Sequence, residues 1–193
     1  MANYYNIDEI LMEEELVSVV FQVEANGVGL LDPGSESNDV EKGAKVDLPF
    51  WLAHELYSRQ VVSVNVPTCF GQKTWKEIQA DAACVDLRSR CPYFYELGCR
   101  VAPLVGDKSI GSSLLYTFAG RYKDALCKGH KSGFTSTPKF LPLLTKEESQ
   151  LFEAARSSMA AFKKWRVGGS RLERASILGR KRKSAAEVQA LNP

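Results

Sequence analysis

Ser109-Ile-Gly-Ser-Ser-Leu-Leu-Tyr-Thr-Phe-Ala-Gly-Arg-Tyr-Lys-Asp-Ala-Leu126 is the most regular stretch of the chain. Ile110, Leu114, Phe118, Tyr122 and Leu126 recur every four residues, joined by Leu115 and Ala119. That spacing predicts an amphipathic helix starting at Ser109. The segments on either side are helical too. Upstream, Thr68 to Ala80 reads as a helix with Phe70, Trp75 and Ile78 apolar and Gly71 as a weak spot. Pro92 opens another, in which Phe94, Leu97, Val101 and Leu104 are spaced by three and four, and Pro103 is expected to end it. Downstream, Gly129 to Leu144 reads as a loop. Thr145-Lys-Glu-Glu148 then matches a capping box, in which two side chains reciprocally satisfy free N–H groups. Leu151, Phe152, Ala155, Met159, Phe162 and Trp165 follow as a helical stripe that Gly168-Gly169 terminates.

The first 47 residues differ in kind. Asn6 caps a short helix carrying Ile7, Ile10 and Leu11. Leu16 to Val23 is dense in β-branched residues, and Val17, Val19, Phe21 and Val23 share one face at period two. Asn26-Gly27, Gly29 and Asp32-Pro33-Gly34 punctuate a polar loop, after which Lys45 to Leu48 pairs as a short second strand. A unit this small is marginal alone and is expected to dock on something. Pro49 suits the first turn of the helix carrying Phe50, Trp51, Leu52 and Leu56, and Val61 to Val66 is extended. The fold class is therefore mainly α with a small N-terminal β-rich domain (α+β). The divisions are 1–47, a helical domain over 48–168, and a basic, disordered tail over 169–193.

Charge supports the same division. The whole chain of 193 residues carries a formal net charge of only +2. Residues 1–47 hold 11 acids against two bases, and residues 163–183 hold nine bases against one acid, Glu173. The near-neutral total argues against a uniformly basic nucleic-acid binder. No apolar run approaches the ~18–20 residues that span a bilayer, and the start lacks a secretory signal, so no membrane partner is expected. Cys69, Cys84, Cys91, Cys99 and Cys127 are odd in number and irregular in spacing, which suits reduced thiols of an intracellular protein.

A search for chemistry returns little. No two cysteines form the close pair a tetrahedral metal site uses, and the histidines, His54 and His130, lie far apart in sequence. No phosphate-cradling glycine loop and no Gly-x-Ser-x-Gly elbow is present. The acids of the first block flank short elements and read as a solvated face. No catalytic, metal or cofactor residue is assigned, and an interaction protein is favoured over an enzyme.

Two positive signals remain. Arg180-Lys-Arg-Lys183 is a four-cation run of the kind a nuclear import carrier reads, so a nuclear location is expected. The helical part also carries more aromatics than four or five short helices need inside. Some helix faces are therefore expected to bury against partner proteins. The candidates for core or subunit interface are Trp51, Phe94, Leu114, Leu115, Phe118, Arg121 and Tyr122, with Arg121 placed at the rim opposite an acidic partner.

Three segments in order resemble the Psf-three family of eukaryotic GINS subunits: Leu48-Pro-Phe-Trp-Leu-Ala53, Val85-Asp-Leu-Arg-Ser-Arg-Cys-Pro-Tyr-Phe-Tyr-Glu-Leu-Gly98 and Ser113-Leu-Leu-Tyr-Thr-Phe-Ala-Gly-Arg-Tyr122. The opening Tyr5-Asn-Ile-Asp-Glu-Ile-Leu-Met12 is similar as well. The resemblance covers residues 5–166. It implies a GINS-type helical domain preceded by a β-rich one, and a non-catalytic role in a heterotetramer with three other GINS subunits. That tetramer joins the minichromosome-maintenance ring and Cdc-forty-five to form the replicative helicase in DNA replication. The tail has no counterpart in the resemblance. A different reading is a nuclear DNA- or RNA-binding protein that uses the basic tail and exposed aromatics, with direct DNA contact left open.

Overall fold

The structure, a computed structural model, describes residues 6–31, 38–131 and 140–167. The chain divides into two compact units, 1–156 and 157–193. In the first, α1 (Ile7–Glu13) starts at Asn6, whose Oδ1 accepts the Asp8 N–H at 3.2 Å. β1 (Leu16–Phe21) follows and is the centre of a three-stranded antiparallel sheet in the order β2-β1-β3, with β2 (Lys45–Pro49) and β3 (Val62–Val64) as its edges. Val17 lies opposite Leu48, Val19 opposite both Val46 and Val64, and Phe21 opposite Val62. These seven side chains are all buried on one face, as period-two alternation requires. The strand stops at Phe21, and Val23 lies beyond it and is exposed, so the apolar alternation outruns the pairing.

The sheet's inner face has no separate core. Met12, the strand residues, Phe50 and Ala53 of α2 (Phe50–Ser58), Ile78 of α3 (Gln72–Asp81) and Phe94, Leu97 and Val101 of α4 (Phe94–Val105) form one contiguous buried cluster. That cluster ends on Ile110 and Leu114 of α5 (Lys108–Lys131). α6 (Lys146–Val167) completes the helices. The chain is thus mainly helical with a small N-terminal antiparallel sheet.

Several boundaries differ from the sequence expectation, each for a physical reason. Pro49 ends β2 and caps α2 instead of entering its first turn. Gly71 does more than weaken a helix. A 3-10 turn at Thr68–Phe70 ends there, and α3 begins afresh at Gln72. α4 begins at Phe94, two residues after Pro92, and does not stop at Pro103. It runs on to Val105 and ends on Gly106 in the left-handed region at φ 72°, the conformation glycine adopts without a Cβ penalty. A proline in the last turn forfeits one hydrogen bond but keeps a helical φ. α5 starts one residue before Ser109 and continues to Lys131, into the segment expected to be a loop.

The four-residue apolar repeat of α5 also has a consequence. A helix turns 100° per residue, so a strict four-residue step drifts by about 40° each time. The stripe therefore leaves the core: Ile110 and Leu114 are buried, whereas Phe118 and Tyr122 are exposed. The buried face takes a three-residue step at Thr117 and continues through Arg121, Ala125 and Gly129. At Gly129 a Cβ would lie 2.8 Å from the Phe152 carbonyl oxygen and 2.8 Å from Ala155 Cβ, so only glycine lets α5 and α6 meet there. Gly168-Gly169, expected to end α6, lies outside the described residues, as does the tail.

Candidate subunit-docking surface

The outer face of α5 carries Leu115, Phe118 and Tyr122 at helical spacing i, i+3, i+7, which puts them on one side. They are 70%, 41% and 39% exposed. Phe118 and Tyr122 are in tilted ring contact at 5.3 Å. Next to them Tyr116, also exposed, meets Trp75 of α3 edge-on at 5.3 Å. The result is an aromatic ridge on solvent.

Beneath the ridge is a fully satisfied ionic hub. Arg121 and Glu148 are 2% and 3% exposed. The Arg121 Nε donates to Glu148 Oε1 at 2.6 Å, and Nη2 donates to Oε2 at 2.8 Å, a bidentate fork. Its Nη1 donates to the carbonyls of Ala82 (2.7 Å) and Val85 (2.8 Å), and Nη2 also donates to that of Leu143 (2.9 Å). All five guanidinium N–H groups are used. Glu148 also accepts the Tyr95 hydroxyl at 2.6 Å and the Thr145 N–H at 3.1 Å, so its four acceptor sites are used as well. Burial alone would push the Arg121 pKa down, but the hydrogen bonds and charge of Glu148 outweigh it and raise it. Burial, then the Glu148 charge, push the Tyr95 hydroxyl well above its usual range, so it stays a donor. Every guanidinium N–H of Arg121 and every carboxylate acceptor position of Glu148 is thus occupied. The effect is to tie α5, α6 and the turns after α3 and before α6 together.

The neighbouring carboxylate completes the junction. Tyr93, the residue before α4, offers no side-chain cap. Instead Glu147 Oε1 accepts the backbone N–H groups of Tyr95 and Glu96, each at 3.1 Å. A carboxylate from α6 thus caps α4 and complements the positive end of its dipole. The expected capping box is also formed, with Thr145 Oγ1 accepting the Glu148 N–H at 3.3 Å.

Among the other sequence candidates, Phe94 and Leu114 are buried in the core, while Trp51 on α2 is half exposed. Arg121 is not at a rim. The three-residue step at Thr117 turns it inward, and its acidic partner is Glu148 of its own chain. Arg180, Lys181, Arg182 and Lys183 lie outside the described residues. Sequence reasoning missed Tyr95 and Glu147, because their partners are about 50 residues away and nothing local marks them. In the second unit Phe162 stacks on Trp165 at 5.7 Å, and both rings are exposed beside Lys164 and Arg166. The thiols of Cys69 and Cys91 are free and buried. Among the described residues no group of metal-ligating side chains gathers, and no helix is long and apolar enough to cross a membrane.

Comparison with known proteins is consistent along the chain. Residues 5–58 match the PSF3 N-terminal domain, and residues 69–167 match the GINS complex protein helical bundle domain. The DNA replication complex GINS protein PSF3 of Phaeosphaeria nodorum is 31% identical, over 86% of this chain and 96% of its own. The proteins of the same name in Xenopus laevis and Homo sapiens are each 29% identical, over 86% of this chain and 81% of theirs. The chain belongs to the PSF3 family of GINS complex proteins.

Proposed function

We propose that this PSF3-family chain acts as a non-catalytic structural subunit, docking its α5 ridge against the apolar helix faces of other GINS subunits in a heterotetramer. The observation that carries the reading is the ridge itself. Three large apolar side chains stand on solvent while Arg121 and Glu148 beneath them are saturated with each other and their neighbours. Exposed aromatics backed by a rigid layer are what hot spots of protein interfaces use. The test is co-expression with the other three subunits. Leu115→Asp and Phe118→Ala are expected to lower recovery of the complex while leaving the helical circular-dichroism signal intact. Full recovery with both variants would refute the reading. The unassembled wild-type chain is expected to be poorly soluble.

The remaining roles rest on the resemblance of residues 5–166. In them the tetramer joins the minichromosome-maintenance ring and Cdc-forty-five as the replicative helicase in initiation and elongation. The modular reading over 1–47, 48–168 and 169–193 is part of the same proposal; the two family matches support an N-terminal and a helical part, but divide them between residues 58 and 69 and not at 47. Arg180–Lys183 serves as the address for a nuclear import carrier. Replacing the four with alanines in a bulky fusion should reduce nuclear entry, and unchanged accumulation would remove that role.

One observation favours a second reading, direct nucleic-acid contact. Phe162 and Trp165 stand exposed beside Lys164 and Arg166, an arrangement that suits base stacking with phosphate pairing. Affinity of the complex for a single-stranded oligonucleotide should then fall steeply with salt and be lost in Trp165→Ala.

A further inference from the structure

Tyr95 joins the buried hub to the exposed ridge by direct contact at both ends: its hydroxyl donates to Glu148 Oε1 at 2.6 Å, and its ring stands edge-on to Phe118 at 5.6 Å and 82°. The same ring meets Phe94 edge-on at 5.4 Å and 89°, and the Tyr95 backbone N–H is held by Glu147 Oε1 at 3.1 Å. Backbone, ring and hydroxyl are therefore each fixed. Phe118 has no comparable anchor, because one side of it faces solvent and the other meets Tyr95 and Tyr122.

We propose that Tyr95 is a positioning residue for the docking surface: tied to Glu148, it holds Phe118, and through it Tyr122, in the conformation that an apolar helix face of a neighbouring GINS subunit meets. This rests on the reading of the α5 ridge as that surface. The physical gain is preorganisation. A side chain ordered only on association weakens binding roughly two- to tenfold, and one already held in the free chain avoids that loss. Without the hydroxyl anchor the Tyr95 ring keeps its Phe94 contact but loses the bond that fixes its outer end, so the edge it offers Phe118 is held less tightly. Tyr95 itself is part-buried behind Phe118 and needs no contact with the partner.

The experiment is subunit exchange on the assembled four-subunit complex. It follows the rate at which a fluorescently tagged copy of this chain leaves. Tyr95→Phe removes only the hydroxyl, Tyr95→Met removes the ring at similar bulk, and Phe118→Ala removes the supported residue. Tyr95→Phe is expected to speed dissociation roughly two- to tenfold, and Tyr95→Met at least as much. The decisive readout is the cycle. Added to Phe118→Ala, Tyr95→Phe should have no further effect, because it acts through Phe118. A merely structural Tyr95 would give the same fold-change in both backgrounds. A fluorine label on Phe118 should in addition show one sharp resonance in wild type and a broadened one in Tyr95→Phe. Additive effects, or an unchanged resonance and exchange rate in Tyr95→Phe, would overturn the positioning role while leaving the ridge intact. Should Phe118→Ala leave exchange unchanged, the docking surface itself would fall, and the role of Tyr95 with it.

Discussion

Arg121→Met tests the hub most severely. Arg121 makes five hydrogen bonds, two of them to a carboxylate that is 3% exposed. The substitution keeps most of the apolar volume but deletes every donor. Glu148 is left as a buried anion with only the Tyr95 hydroxyl and the Thr145 N–H, and the carbonyls of Ala82, Val85 and Leu143 lose their donor. Breaking a buried pair from one side costs about 3–5 kcal/mol. At about 2–4 °C per kcal/mol for a chain of this size, the melting temperature should fall by roughly 6–20 °C. Arg121→Lys should cost nearly as much, since three donors on one nitrogen cannot reach a carboxylate and three separated carbonyls. The assay is denaturant unfolding followed by circular dichroism, run on Arg121→Met, Glu148→Met and the double variant. Removing the second partner also removes the stranded charge, so the double variant should be more stable than the sum of the singles predicts, by up to about 3 kcal/mol. A single-variant cost below about 1 kcal/mol, or strict additivity, would show that the fork does not hold the helices together.

Four further outcomes follow from the geometry. At Gly98 a Cβ would sit 2.8 Å from both Leu114 Cδ atoms and 3.0 Å from Phe70 Cε1, so Gly98→Ala should destabilise by about 1–3 kcal/mol. Gly111→Ala meets nothing within 4 Å and should stabilise by about 0.5–1 kcal/mol, both read from thermal melts. Glu147→Ala removes the cap of α4 and should cost about 1 kcal/mol, with faster hydrogen exchange at the Tyr95 and Glu96 amides and not at mid-helix. Asp107 accepts from the Ser109 N–H and hydroxyl, each at 2.8 Å, and these bonds hold its carboxyl below the usual range. Its support for α5 is therefore present above the ordinary carboxylate value and is lost as pH falls through the depressed one. The Ser109 amide resonance should titrate below about pH 4 in wild type and stay flat in Asp107→Asn.

Legibility in the sequence followed the range of the interaction. The Asn6 cap, the β1 alternation and the Thr145–Glu148 box are set within a few residues, and each was readable. The four-residue repeat of α5 announced a helix correctly but not its buried face, because periodicity averages over the three-residue step at Thr117. That step alone moves Arg121 from rim to centre and decides that Phe118, a candidate for core or interface, lies on the surface. Pro103 misled because a proline in a last turn is tolerated when a glycine follows to close the helix. The hub and the Glu147 cap were invisible, since Arg121, Tyr95 and Glu148 are brought together only by the fold. The exposed ridge was half legible: an aromatic excess is countable, but which rings face out is a matter of packing.

The cap of α4 has a consequence for the order of events on the ribosome. Tyr95 and Glu147 are separated by 52 residues, and Arg121 and Glu148 by 27. At about 5–20 residues per second of synthesis, the start of α4 exists for roughly 3–10 s before the carboxylate that caps it has been made. Arg121 likewise waits for its counter-ion. The strand pairing of the sheet joins residues 16–64 and is complete in sequence before α4 begins, although its buried face still waits for α3, α4 and α5. The closing of the helical half is timed by the appearance of two successive glutamates, Glu147 and Glu148.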